Sequence, residues 1–229
     1  MDVKGVLFDL DDTLYEYAPC NEKALEAVHL LLEHTHSISF AHFMERHDEV
    51  RGQLARELRG QAASHNRALF FKRMVERIAG GTEAGLVSEL YACYWEAFRA
   101  RMRPHPDAHR VLDILREKYA LALVSNHTML PQLEKVRTLG FESYFPVFVT
   151  SEEAGVEKPD GRIFALALEK LRLTAAAAVF VGDSLPGDVE GAARMGMRTV
   201  HTVEFLQQKS GKSPADYTIH HLAELLDIL

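Results

Sequence analysis

Short apolar runs, each closing on polar residues, recur at Val6-Leu7-Phe8, Leu121-Ala122-Leu123-Val124, Val147-Phe148-Val149 and Val179-Phe180-Val181. Runs of this kind read as buried parallel strands. After Pro104 and Pro106 they alternate with helical periodicity. Helices are predicted near 107–118, 130–139, 162–171, 188–195 and 222–229. Strands are predicted at 120–124, 147–150, 178–181 and 199–202, with a short one at 217–219. This alternation predicts an α/β fold, a doubly wound parallel sheet covered by helices on both faces. The stretch from about 21 to 101 has a different texture, helical throughout. Apolar positions spaced by three and four mark a first helix over 22–33. Ser39 can cap a second from Phe40, a third runs over 66–78 to Gly80-Gly81, and Thr82 can cap a fourth carrying Leu86, Leu90, Tyr94 and Phe98. The expected organisation is therefore a core of residues 1–14 and 104–229, interrupted by an all-helical cap of residues 15–103. Prolines 19, 104 and 106 break the helical pattern and place the connections at about 15–20 and 98–106.

The polar residues that follow the strands carry the chemistry. Asp9, Asp11 and Asp12 follow the first strand, and Asp183 and Asp188 follow the one ending at Gly182. Ligands and reaction centres in open α/β sheets lie beyond the carboxyl ends of the strands. Like charges crowded there repel one another unless a cation or a reaction requires them. In an extended segment Asp9 and Asp11 would point to one side and Asp12 away. Two convergent carboxylates can divide labour between nucleophile or metal ligand and acid/base. Ser125 and Asn126 close a second strand end, and Lys158-Pro159 follows a third. Four carboxylates, a hydroxyl and a lysine suit a divalent cation together with a phosphate.

Composition narrows the class. The chain has 229 residues, 47% hydrophobic and 26% charged, as expected of an ordinary globular protein. Its net charge of −7 argues against non-specific nucleic-acid binding. The charge is uneven: residues 15–103 hold 12 basic and 12 acidic residues, so the excess of acid falls on the core. Cys20 and Cys93 have no metal-ligand spacing and suggest a reducing compartment. No signal peptide is read at the N-terminus, and no apolar run reaches the ~18 residues of a membrane span. The expected location is the cytoplasm, without membrane or nucleic-acid partners, as a monomer or homodimer.

The order Asp9-Leu10-Asp11-Asp12-Thr13, then Ser125-Asn126, then Lys158-Pro159, then Gly182-Asp183 with Asp188 resembles the haloacid dehalogenase superfamily. The helical insert between the first two motifs resembles the cap of its branch of phosphoglycolate phosphatases and haloacid dehalogenases. The resemblance covers the core from end to end. It implies a Rossmann-like core and a Mg²⁺-dependent phosphatase acting on a small-molecule phosphate monoester through an aspartyl-phosphate. Asp9 is then the nucleophile and Asp11 the general acid/base. Mg²⁺ is implied at a carboxylate oxygen of Asp9, the backbone carbonyl of Asp11 and the side chain of Asp183, with Asp188 helping through water or from behind. Ser125 and the amide of Asn126 are implied to bind phosphoryl oxygens, and Lys158 to neutralise phosphate and carboxylates. The cap is expected to move as a lid and to choose the substrate.

Three other readings are open. A phosphomutase resembling β-phosphoglucomutase shares all four motifs. A 2-haloacid dehalogenase shares fold and cap, but its pattern lacks the second aspartate of the first motif, so Asp11 argues against it. A non-catalytic binding module would have lost a carboxylate, and here all are present. Asp188 equally suits a helix cap after Gly187, and Asp12 a loop. His127 is either a neighbour of Ser125 or an exposed loop histidine, and Cys20 reads as structural. A neighbouring anionic carboxylate is expected to raise the pKa of Asp11 and favour an acid role.

Overall fold

All four residues of β1 (Gly5–Phe8) are buried, the pattern of a strand covered on both faces. The computed structural model describes residues 2–206 and 213–229. After β1 the chain builds four long helices, α1 (Ala18–His36), α2 (Phe40–Glu57), α3 (Arg67–Ala79) and α4 (Ala84–Arg101). Then helices and strands alternate: α5 (Ala108–Arg116), β2 (Ala120–Ser125), α6 (Met129–Thr138), β3 (Val147–Thr150), α7 (Ser151–Ala154), α8 (Gly161–Leu171) and β4 (Ala178–Gly182). A π-type turn over Leu185–Val189 precedes α9 (Glu190–Arg194), β5 (Arg198–Thr202), β6 (Tyr217–Ile219) and α10 (Leu225–Ile228).

The strands form one parallel sheet in the order β3-β2-β1-β4-β5-β6. The chain winds outward from β1 on one side through β2 and β3, and on the other through β4 to β6. β1 and β4 are therefore central neighbours at the point where the winding reverses, and the crevice beyond their carboxyl ends is the place where such sheets bind ligands. Their register sets Phe8 opposite Val181, so Asp9 leaves the sheet level with Gly182 and Asp183 follows one residue further on. Leu7, Ala122, Val124, Val149 and Phe180 pack with Ile163, Phe164 and Ala167 of α8 in one buried cluster.

The chain divides into two units, Met1–Glu16 with Arg103–Leu229, and Tyr17–Met102. In the second, α4 packs against α1 and α3. Ser39 caps α2 by accepting from the His42 amide, and Asn66 caps α3 by accepting from the Leu69 amide at 3.0 Å. Two local readings need correction. Thr82 does not cap α4, whose N-cap residue is Glu83; the Thr82 hydroxyl donates to Glu76 at 2.8 Å instead. The segments read as connections are partly helical, since α1 begins at Ala18 and α4 runs on to Arg101. Proline is tolerated in a first turn, where its missing N–H has no partner to lose, so Pro19 starts a helix where it was expected to break one. Cys20 is buried in α1, and neither it nor Cys93 forms a disulfide. Among the described residues no helix is long and apolar enough to cross a membrane.

Candidate active site

The carboxylates of Asp9, Asp183 and Asp188 converge at the ends of β1 and β4, each offering an oxygen within 4.8 Å of the others. Asp9 is held by its own backbone, whose amide donates to the Val181 carbonyl at 2.9 Å. Asp188 stands on the π-type turn and folds back, its Oδ2 accepting from the Ser184 amide at 3.0 Å. That return requires Gly182: a Cβ there would sit 2.3 Å from Asp188 Oδ2, so any larger residue would displace the carboxylate.

One ammonium serves this trio. Lys158 Nζ lies 2.6 Å from Asp9 Oδ1 and 2.6 Å from Asp188 Oδ1, and donates to the Val124 carbonyl at 2.9 Å. The contact with Asp188 is close in charge but lacks hydrogen-bond geometry, so Asp188 Oδ1 is buried without a hydrogen bond. Asn126 fixes Lys158 with its side chain: Nδ2 donates to the Lys158 carbonyl at 3.0 Å, and Oδ1 accepts from the Lys158 amide at 2.7 Å. The sequence suggested only the backbone of Asn126 as functional. This amide clamp was invisible in it, since the partner lies 32 residues away.

The electrostatics follow. Burial first, and after it the charges of Asp188 and Asp11, push Asp9 up to about 7 against the pull of Lys158. Burial, then Asp9, Asp188 and Asp12, push Asp183 up to about 8. Lys158 is raised because the two carboxylates outweigh its burial. Two buried acids and the half-buried Asp183, with Lys158 held against two of them, are an oxygen donor set short of positive charge. That is the chemistry a divalent cation completes.

Asp11 behaves differently. Its carboxylate does not join the trio. Both oxygens are taken by neighbours in the core: Lys135 Nζ at 2.7 and 2.9 Å, Gln132 Nε2 at 3.3 Å, and the buried Tyr15 hydroxyl. The expectation of a raised pKa is therefore reversed. Burial works upward, but the Lys135 charge and the hydrogen bonds from Lys135 and Tyr15 outweigh it and hold Asp11 down at about 2. Asp12 has a φ of 56°, so the segment is not extended there and the expected alternation of side chains does not hold past β1.

Ser125 is buried at the end of β2, and its Oγ accepts from Gln132 Nε2. His127 is buried beside it rather than exposed; its Nδ1 accepts from the Thr128 amide at 2.9 Å. The structure thus brings together Asp9, Asp183, Asp188 and Lys158, with Asn126 clamped to Lys158. It sets Asp11 and Ser125 together on Gln132. Sequence reading had not singled out Lys135, Gln132 or Tyr15.

A family model described as haloacid dehalogenase-like hydrolase matches residues 3–196. The chain is similar to the ribulose-1,5-bisphosphate 5-phosphatase of Halopiger xanaduensis, 37% identical over 98% of each chain. It is similar to the glyceraldehyde 3-phosphate phosphatase of Methanopyrus kandleri, 32% identical over 99% of this chain and 97% of that one. Among solved structures it resembles a haloacid dehalogenase-type phosphatase from Thermococcus onnurineus, with a TM-score of 0.79 and 30% identity over 99% of this chain and 97% of the other.

Proposed function

Because the chain belongs to the haloacid dehalogenase-like hydrolases, we propose that it is a phosphatase of small phosphorylated sugars, working through Asp9 as nucleophile. The observation that carries this reading is the buried contact of Asp9 with Lys158 at the edge of the acidic trio. A phosphate monoester dianion repels a carboxylate, so attack needs positive charge placed in advance. Lys158 supplies one such charge within reach of Asp9. Asp9, Asp183 and Asp188, with the backbone carbonyl of Asp11, would hold Mg²⁺, which supplies the remaining neutralisation and orients the phosphoryl group. Ser125 Oγ and the amide of Asn126 would donate to phosphoryl oxygens.

The chemistry balances in two steps. A carboxylate oxygen of Asp9 bonds to phosphorus as the bond to the ester oxygen breaks, and Asp11, which must first take up a proton from water against the pull of Lys135, gives that proton to the departing alcohol. Water then attacks phosphorus, Asp11 takes the proton, and phosphate leaves as the Asp9 carboxylate is regenerated. The relatives, named as a ribulose-1,5-bisphosphate 5-phosphatase and a glyceraldehyde 3-phosphate phosphatase, support small phosphorylated sugars as the substrate class. A panel of phosphorylated trioses, pentoses and pentose bisphosphates, read as released phosphate with Mg²⁺ present, tests it. Release from none of them overturns the reading.

Asp11→Asn should slow both steps. An aryl phosphate with a good leaving group needs little protonation, so its first step should lose less than the ~10²–10⁴-fold expected for an alkyl phosphate. Equal losses for both esters, with phosphorylation rate-limiting, would remove Asp11 from the acid role.

The trio also makes a prediction that needs no substrate. Asp9 at about 7 and Asp183 at about 8 keep protons in the folded chain that the unfolded chain has released by about pH 4. Their contribution to stability is complete below that pH and is lost as pH rises through 7 to 8. In chelator, Tm should therefore fall from about pH 6 to about pH 8.5, and Mg²⁺ should raise it more at the higher pH. Calorimetry on Asp183→Asn should show a flatter dependence and a smaller Mg²⁺ effect. Identical curves for parent and variant contradict the assignment.

A further inference from the structure

Helix α6 buries two polar side chains on the same face as Val136 while leaving two leucines in solvent. Its leucines Leu130 and Leu133 are 62% and 47% exposed, while Gln132 and Lys135 are fully buried. An amphipathic helix on a core would bury the leucines and leave the lysine in water. Burying an ammonium costs free energy unless an anion is held against it with good geometry. Here the anion is Asp11, met by Lys135 Nζ at both oxygens. Positions that break local patterning are those where a fold serves a site. Gln132, one turn earlier, donates from the same Nε2 to Asp11 Oδ2 and to Ser125 Oγ. One turn of α6 thus grips the two groups that stand on either side of the reading above, the acid/base carboxylate and the phosphoryl-binding hydroxyl. Tyr15 closes the cradle: its hydroxyl donates to Asp11, and its ring lies 5.8 Å from Lys135 Nζ.

We propose that Lys135, with Gln132, is a positioning residue that stations the Asp11 carboxylate beside Ser125 and outside the Asp9–Asp183–Asp188 trio, so that proton transfer to the leaving oxygen starts from a fixed place. This rests on the phosphatase reading. Without Lys135, Asp11 keeps the hydrogen bonds of Tyr15 and Gln132 but loses the group that holds both its oxygens. A reacting group misplaced by about 1 Å can cost on the order of 10²-fold. The loss should fall on proton transfer, and so on esters whose leaving group needs protonation.

The test is a leaving-group series, from p-nitrophenyl phosphate through phenyl phosphate to an alkyl phosphate, hydrolysed with Mg²⁺ by the parent, Lys135→Met and Lys135→Arg. In Lys135→Met, kcat/KM for the alkyl ester should fall about 100-fold and that for the p-nitrophenyl ester less than about 3-fold, which steepens the dependence on leaving-group acidity. Lys135→Arg keeps the buried charge and should lie between. It also carries the test if the methionine variant does not fold. A uniform fall across the series, or the parent's dependence in the arginine variant, overturns the proposal. If the parent hydrolyses none of these esters and none of the sugar phosphates, the phosphatase reading itself has failed.

Discussion

Asp9→Asn is expected to abolish turnover, by about 10⁴-fold or more, and to leave the fold intact. Asparagine fills nearly the same space, so the amide bond to Val181 and the packing of β1 are retained. It cannot form the ester with phosphorus. The variant also relieves repulsion, because burial and the charges of Asp188 and Asp11 oppose ionisation of Asp9, while Lys158 keeps Asp188 as a partner. In chelator its Tm should therefore equal or exceed that of the parent above about pH 7. An unfolded variant would leave the loss of turnover uninterpretable, so the two measurements belong together. Retention of more than about a tenth of the activity removes Asp9 from the nucleophile's role.

Chelation should bring a comparable loss, about 10³-fold or more, reversed by Mg²⁺. Among the described residues Lys158 is the cation held against Asp9 and Asp188, with Asp183 beside them, before any substrate dianion arrives. One ammonium cannot neutralise that set, and attack of carboxylate on phosphate would stall. Ca²⁺ should restore little, because its larger and looser coordination shell does not enforce in-line geometry. Hydrolysis of an aryl phosphate at equal rates with Mg²⁺ and with excess chelator would sink the metal assignment.

Much of the scaffold was legible because it depends on local pattern. β3 and β6 fall on 147–150 and 217–219 as read, and β2 and β4 extend one residue further. Fully buried strands are continuous apolar runs, and that signal needs no partner to be seen. The crowding of carboxylates after β1 and β4 was legible for a related reason: parallel strands bring their exits together whatever the side chains do.

The parts that escaped are set by tertiary contact. The periodicity of α6 favours Leu130 and Leu133 as inward positions, and only the fold turns Gln132 and Lys135 inward. Lys135 stands 124 residues from Asp11, so no spacing rule joins them. The same contact reverses the expected pKa of Asp11, because the local sequence shows only the acids of its own segment. Asn126 was read for its backbone because its side chain's partner lies after another strand. Asp188 was open between capping and catalysis. It sits in the turn before α9, and its carboxylate also faces Asp9 and Lys158.

The central claim is that phosphate passes through Asp9. Its most direct test is mass analysis of Asp11→Asn, acid-quenched during turnover of p-nitrophenyl phosphate with Mg²⁺, an ester whose first step needs little protonation. The variant should accumulate one phosphoryl group on the peptide carrying Asp9, and Asp9→Asn should carry none. Phosphate released at a measurable rate with no phosphoryl group on that peptide, or with the group on another residue, would contradict the account.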